Sequence, residues 1–130
     1  MKVNYSHYIQ SNEWYRKHKH WLLESNYRCS MFPWIQCGKG KPYRVHHKTY
    51  DNVGDEELWK DVIVLSPFAH DFIIHGILSG FKSAGKQKGK YPNRYQKFAH
   101  HWCCLPMMCK LLIIAVISFV AAYFAVSCIR

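Results

Sequence analysis

No acidic residue follows position 71 in this sequence. Asp71 is the last of the eight acids in 130 residues, whereas eighteen Lys and Arg residues give a formal net charge of +10. The segment that follows therefore contains six basic residues and no acid within it: Lys82, Lys86, Lys88, Lys90, Arg94 and Lys97. Such a segment suits a polyanion, either nucleic acid or an anionic membrane surface. We expect these six residues to contact nucleic acid; a solvated loop kept soluble by its lysines is the alternative.

The chain also lacks the cysteine pattern of a secreted disulfide framework. Its first ten residues, MKVNYSHYIQ, are polar and predict no signal peptide. Both observations favour a reducing compartment. Four of the six cysteines lie in or beside an apolar C-terminal segment, where a thiol usually behaves as a small hydrophobic group. They are Cys103, Cys104, Cys109 and Cys128.

That C-terminal segment, LLIIAVISFVAAYFAVSCI at residues 111–129, carries no charge over nineteen residues. A helix of this length rises roughly 28 Å, close to the hydrocarbon thickness of a bilayer. It is apolar on all sides, unlike the one-sided helix of a soluble core. We predict a single transmembrane helix, with the basic flank keeping residues 1–110 on the cytoplasmic side. The alternative is a hydrophobic helix docked on the domain or on a partner.

The preceding residues divide into three segments. Residues 1–42 predict a basic helix, capped by Ser6 or Ser11 and ending near Glu24, and then a lead-in loop. Residues 43–80 predict strand, loop, strand and helix, with strands in YRVHH and WKDVIVLS and a helix start at Pro67. Residues 81–110 predict a basic loop and a juxtamembrane helix. The fold class is therefore α+β, a small ββα unit with flanking helices and one transmembrane helix.

Four histidines lie at two points of the strand–loop–strand–helix segment. His46 and His47 end the first predicted strand, and His70 and His75 fall on the predicted helix. Imidazole binds divalent metals well, and a metal site needs several ligands that converge from different elements. The placement favours a metal site over chance enrichment in histidine.

The same residues carry a family resemblance. HHKTYDNVGDEELWKDVIVLSPFAH resembles the motif of the HNH endonucleases: a His pair, TY, a Gly with acidic residues, a hydrophobic strand and a final helix with His. The preceding YIQSNEWYRKHKHWLLESNYRC resembles their usual lead-in, and the similarity covers roughly residues 5–80. The resemblance implies a ββα-metal finger that hydrolyses phosphodiester bonds in nucleic acid, more often DNA than RNA.

Roles follow from the resemblance position by position. His46, His70 and His75 would bind one divalent ion, with Mg²⁺ or Mn²⁺ favoured and Zn²⁺ an alternative. His47 would be the general base that activates water, and Asp61 would orient His47 by accepting a hydrogen bond from its ring.

The sequence departs from the family pattern at two places. Many members hold a structural zinc with two CxxC pairs, but Ser66 and Ala69 stand where the second pair would be, and Cys29 and Cys37 alone cannot close a four-ligand site. We therefore expect no structural zinc. In addition, His70 and His75 are five residues apart, which on an α-helix turns them about 140° from each other. Convergence would need a π-bulge or an early helix end near Gly76.

Two other functions fit parts of the same sequence. A catalytically inactive HNH-like module could bind nucleic acid or act as a scaffold at the membrane. A basic membrane protein could instead grip anionic headgroups, and its His clusters would then have no role. Cleavage of nucleic acid by the purified protein would distinguish an endonuclease from both alternatives.

Overall fold

The computed structural model describes residues 4–80 and 91–128, in which helices surround a two-stranded sheet. This is the predicted α+β class. Its helices and strands are α1 (Tyr5–Tyr8), α2 (Asn12–Glu24), β1 (Arg44–His47), β2 (Val62–Leu65), a π-helix (Phe68–Ile74), a 3₁₀-helix (Ile77–Ser79), α3 (Arg94–Cys104) and α4 (Met107–Cys128).

Helix α2 begins and ends where the sequence indicates. The Ser11 hydroxyl accepts a hydrogen bond from the Trp14 backbone N–H at 3.2 Å, which satisfies one of the free donors of the first turn. The helix ends at Glu24, and the side chains of Trp14, Trp21 and Leu22 are buried. Helical spacing of these three residues places them on the face that packs into the core.

Strands β1 and β2 pair antiparallel, with Val45 opposite Val64 and His46 opposite Ile63. All four side chains of β2 have no solvent exposure, so this strand forms the centre of the core. Strand β1 has an exposed first residue, Arg44, and a buried end at His46 and His47. The sheet therefore fixes both histidines of the pair in the interior.

The helix after Pro67 is a π-helix, one of the two features that the spacing of His70 and His75 would need for convergence. In a π-helix each backbone N–H bonds the carbonyl five residues earlier. The N–H of His75 donates to the carbonyl of His70 at 3.0 Å, one such bond. Ala69 and Ile74, also five residues apart, are both fully buried. The five-residue repeat therefore places Ala69 and Ile74 together in the core. It also places His70 and His75 together on another face of the helix.

Helix α3 is joined to the end of the π-helix by polar contacts. Asn93 and Gln96 form a capping box at its start. The Asn93 side-chain amide also donates to the Leu78 carbonyl at 2.8 Å, and the Gln96 amide donates to the Ile74 carbonyl at 3.3 Å. One hydrophobic core runs from Tyr8 to Cys103, so the three predicted soluble segments share it.

Helix α4 has 22 residues and is long and apolar enough to cross a membrane, with a mean hydropathy of 2.6 over an 18-residue window. None of that window is buried against the described part of the chain, so α4 is not docked on its own domain. The helix begins at Met107, four residues before the predicted span. Its first turn is joined to the domain by Lys110, whose ammonium donates to the Ser30 carbonyl at 2.7 Å and the Cys103 carbonyl at 2.8 Å.

Candidate metal centre and the adjacent histidine

The two histidines at the end of β1 belong to two different environments. Successive side chains of a strand point to opposite faces. The ring of His46 contacts the rings of His70 and His75, and the ring of His47 contacts Trp14 of α2. One dipeptide therefore supplies a residue to each of two adjoining sites.

His46, His70 and His75 form a group that could hold a metal ion. One nitrogen from each ring can be chosen so that all three lie within 4.8 Å of one another. The ring centroids of His70 and His75 are 4.6 Å apart, and those of His46 lie 5.2 Å and 5.1 Å from them. The π-helix produces this convergence, because residues five apart stack one above the other when the hydrogen bonds span five residues.

Burial keeps two of these imidazoles neutral. Desolvation, with smaller contributions from His100 and His70, holds the pKa of His46 well below its ordinary value of 6.5. Desolvation and the neighbouring His70 also lower the pKa of His75. A metal binds the lone pair of a neutral imidazole, so the chemistry of the donor set fits a divalent ion.

His70 has a carboxylate partner that the sequence analysis did not assign. Its Nδ1 contacts the Asp71 carboxylate at hydrogen-bond distance, and the other oxygen of Asp71 lies 3.8 Å from the Arg44 guanidinium. A carboxylate that accepts from one ring nitrogen fixes the tautomer and leaves the other nitrogen for metal. The sequence feature that could have indicated this partner is the position of Asp71 directly after His70.

His47 is enclosed by aromatic rings. It stacks on Trp14 with centroids 5.1 Å apart and planes 8° apart, and on Tyr50 at 5.1 Å and 17°. Tyr5 contacts it edge-on at 5.5 Å. Only 4% of His47 is exposed. These contacts fix the plane of the imidazole.

Glu56 is the hydrogen-bond partner of His47. Its Oε1 lies 3.3 Å from His47 Nε2, while its Oε2 accepts from the Tyr8 hydroxyl at 2.6 Å and from Lys17 at 3.2 Å. His47 Nδ1 has no hydrogen-bond partner among residues 4–80 and 91–128. A carboxylate can only accept, so the bond requires a proton on Nε2 and leaves the Nδ1 lone pair available.

The pKa values of this pair follow from burial and from their mutual contact. Desolvation lowers the pKa of His47 below 6.5, although the hydrogen bond that His47 donates to Glu56 opposes the shift. Burial would raise the pKa of Glu56, but hydrogen bonds from Tyr8, the backbone and Lys17 outweigh burial and lower it. At neutral pH the pair is therefore a neutral imidazole beside a carboxylate.

Asp61 does not have the predicted contact with His47. Its Oδ1 accepts from the Asn52 side chain at 2.9 Å, and its Oδ2 accepts from the Glu57 N–H at 3.0 Å. Both oxygens are engaged in closing the loop between the strands, so the carboxylate that meets His47 is Glu56. Asp61 stabilises the loop that presents Glu56.

The predicted nucleic-acid contacts are described only in part. Lys82, Lys86, Lys88 and Lys90 lie outside the described residues. Arg94 and Lys97 are exposed on α3, where the Arg94 guanidinium donates to the Tyr95 hydroxyl at 2.7 Å. No contact joins either side chain to the histidine group in the described residues.

Cys29 and Cys37 are buried free thiols. The hydrogen bond from Cys37 lowers the pKa of Cys29 to about 5. The Ser66 N–H donates to the Cys29 sulfur at 3.3 Å, and Ala69 offers no ligand. Within the described residues, the only His, Cys, Asp and Glu group with metal-site geometry is His46, His70 and His75.

A cavity of about 740 Å³ lies between the end of α2, the following loop and the start of α4. None of the candidate histidines lines it, and residues such as Trp34, Trp59 and Leu111 do. We assign the chemistry to the histidine group because convergent donor atoms, and not volume, define a metal centre.

Comparison of the chain with protein-family models, curated proteins and solved structures finds no match. The resemblance to the HNH endonucleases is therefore a hypothesis that depends on the residues themselves.

Proposed function

We propose that this chain is a metal-dependent endonuclease of the HNH type, built on a ββα-metal finger and anchored to a membrane by residues 111–129. One observation carries the proposal: three imidazoles that could hold a metal lie beside a fourth, His47, whose Nε2 is held by a carboxylate and whose Nδ1 has no partner in the part of the chain that the structure describes. Two strands followed by a helix supply all four histidines, in the order of the HNH motif.

The mechanism assigns His47 as the general base. Nδ1 takes a proton from the attacking water, and the imidazolium that forms is stabilised by Glu56 at Nε2. The aromatic contacts with Trp14 and Tyr50 keep the ring in place during this transfer. A divalent ion held by His46, His70 and His75 would supply Lewis-acid stabilisation of the charge that builds up on the phosphate and on the leaving oxygen.

The donor set favours some ions over others. Three imidazole nitrogens suit Mn²⁺, Zn²⁺ and related transition ions, whereas Mg²⁺ prefers oxygen ligands. We propose a transition ion at this site, with Mn²⁺ and Zn²⁺ as the first two to test and Mg²⁺ for comparison.

The membrane proposal depends on α4. Its length, hydropathy and lack of cover within the described chain favour insertion in a bilayer, and Lys110 and the basic residues before it favour a cytoplasmic position for residues 1–110. The same basic residues, with Arg94 and Lys97 on α3, would bind the phosphate backbone without reading sequence.

Plasmid cleavage by the full-length protein in detergent micelles tests the function. We expect nicking of DNA with Mn²⁺ or Zn²⁺ and loss of at least about 100-fold in rate for His47→Ala, because general-base catalysis is worth about 10²–10⁴. His20→Ala is the matched control, since His20 is exposed and its ring pairs with Glu24 at 3.6 Å, away from the histidine group. DNA binding without cleavage under any divalent ion would favour the inactive module, and binding to anionic vesicles alone would favour the headgroup function.

A further inference from the structure

Two side chains from outside the strand–helix segment reach the candidate ligand His46. The Tyr91 hydroxyl lies 2.8 Å from His46 Nε2, and Nε2 of His100 lies 3.1 Å from the same atom. Tyr91 precedes α3, and His100 lies on it with 4% of its surface exposed. His46 itself is 3% exposed. One ring nitrogen of a buried ligand thus has two polar neighbours.

The protons at this position can be assigned from the partners. A tyrosine hydroxyl carries one hydrogen, and the Tyr91 hydroxyl donates it to the His47 carbonyl oxygen, which can only accept. Towards His46 the Tyr91 oxygen must therefore accept, so the hydrogen between them is on His46 Nε2.

His100 then has to be an acceptor as well. Since His46 Nε2 carries a hydrogen, the facing Nε2 of His100 must present its lone pair, which places the hydrogen of that neutral ring on Nδ1. The His46 N–H is shared between Tyr91 and His100. With Nε2 protonated, the nitrogen of His46 that keeps a lone pair is Nδ1.

We propose that Tyr91 and His100 are positioning residues of the metal centre: they hold His46 at Nε2, so that His46 binds the ion through Nδ1. This inference rests on the metal centre of the proposed function and not on cleavage. Metal-ligating histidines generally donate their second ring N–H to a fixed partner, and loss of that partner typically lowers metal affinity about 10–100-fold.

The inference extends the metal centre to the helix that precedes α4. Tyr91 and His100 lie beyond residue 80, and α3 is held on the π-helix by Gln96 and on the 3₁₀-helix by Asn93. The same helix therefore packs against the ligand-bearing segment and supplies the partner of its most buried ligand.

Nuclear magnetic resonance of the full chain in detergent micelles tests the assignment. The protein is labelled with ¹⁵N-histidine and loaded with ¹¹³Cd²⁺. We expect scalar coupling from cadmium to Nδ1 of His46 and a proton on Nε2 of the same ring. We also expect Tyr91→Phe to weaken cadmium binding about 10-fold or more. The double variant with His100→Phe should bind cadmium more weakly still and need not be additive, because both residues share the same N–H. Tyr95→Phe and His101→Phe are the matched controls, because both residues are exposed on α3.

Each other result is decisive. Cadmium coupled to Nε2 of His46, or to a nitrogen of His100, would overturn the inference, and so would a Tyr91→Phe variant that binds cadmium as tightly as Tyr95→Phe. A wild-type protein that binds no cadmium would overturn both the inference and the metal centre. If the expected coupling is seen in a protein that cleaves no nucleic acid, the inference stands and only the proposed nuclease function is contradicted.

Discussion

At the scale of single residues, neighbouring side chains in β1 have separate tasks. His46 faces three other imidazoles, whereas His47 faces aromatic rings and Glu56. The alternation of side chains along a strand places the candidate metal ligand and the proposed base on opposite faces. Two adjacent histidines on a helix, about 100° apart, would not be divided between opposite faces in this way.

The contact between Glu56 and His47 predicts a change in the pH profile of cleavage. A base must be deprotonated to act, so the acid limb should fall at the pKa of His47, which lies below 6.5. Because Glu56 raises that pKa, Glu56→Gln should move the acid limb to lower pH. It should also slow cleavage at neutral pH by about 10-fold or more, since the imidazolium loses its carboxylate. Initial rates between pH 4 and 8 measure both effects.

Glu57→Gln provides the control for this experiment. Glu57 is an exposed neighbour, and its carboxylate pairs with Lys60 at 2.6 Å. The pH profile of cleavage by the Glu57→Gln variant should match that of the wild type. An acid limb that stays in place in Glu56→Gln, or moves upward, would show that His47 is not the titrating base.

The sequence indicated the histidines at this scale but not their carboxylate partners. The four histidines could be found because one pair ends a predicted strand and the other pair falls on the predicted helix: His46 with His47, and His70 with His75. Glu56 is one of three consecutive acids, and the choice among them depends on the loop that Asp61 closes through Asn52 and the Glu57 N–H. Loop conformation of this kind has no periodic signature in the sequence.

At the scale of the elements, the π-helix resolves a conflict between two spacings. On an α-helix, Ile73 and not Ile74 would lie above Ala69, and His75 would turn away from His70. Ile74 is fully buried and Ile73 only partly, so the five-residue step also satisfies the core. The strand and helix positions were predictable from hydrophobic runs and from Pro67. The type of helix was not, because it depends on which isoleucine the core accepts.

Insertion of one alanine between Phe72 and Ile73 tests the role of the π-helix. It places the two helical histidines six residues apart, a spacing that neither i→i+4 nor i→i+5 hydrogen bonds bring into line. We expect metal affinity, measured by isothermal titration calorimetry, to fall at least about 10-fold, as expected when one of three ligands is misplaced.

An alanine inserted between Lys39 and Gly40 is the matched control. Both residues are exposed in a turn far from the histidines in sequence, and insertions at exposed turns are well tolerated. The metal affinity of this control variant should equal that of the wild type. Equal affinity in the two insertions would exclude a ligand role for His75.

At the scale of the whole molecule, α3 joins the histidine group to the apolar helix α4. The N-terminal turn of α4 is fixed to the domain by the buried Lys110, while the rest of α4 has no cover in the described chain. The domain and the apolar helix are thus separated by only Leu105 and Pro106. Such a short connection would hold the histidine group close to the bilayer surface.

The energetics of α4 decide how its insertion can be tested. Ten Leu, Ile, Phe and Val residues lie between Leu111 and Cys128. Each contributes about −0.3 to −0.6 kcal/mol to insertion, so together they contribute roughly −3 to −6 kcal/mol. One central arginine costs about 2.5–3.5 kcal/mol, which this helix can absorb. Two arginines that replace apolar residues cost roughly 5–7 kcal/mol and leave eight apolar residues, whose contribution of roughly −2.4 to −4.8 kcal/mol is smaller than that cost. We therefore predict that Ile117→Arg with Val120→Arg releases the protein into the supernatant on carbonate extraction, while the wild type stays in the pellet.

The control carries Leu23→Arg and Ile77→Arg, which change equally exposed apolar residues outside α4, and it should remain in the pellet. Release of the wild type, or retention of the double α4 variant, would contradict a membrane-spanning α4. The long apolar helix would then have to be covered by a partner chain.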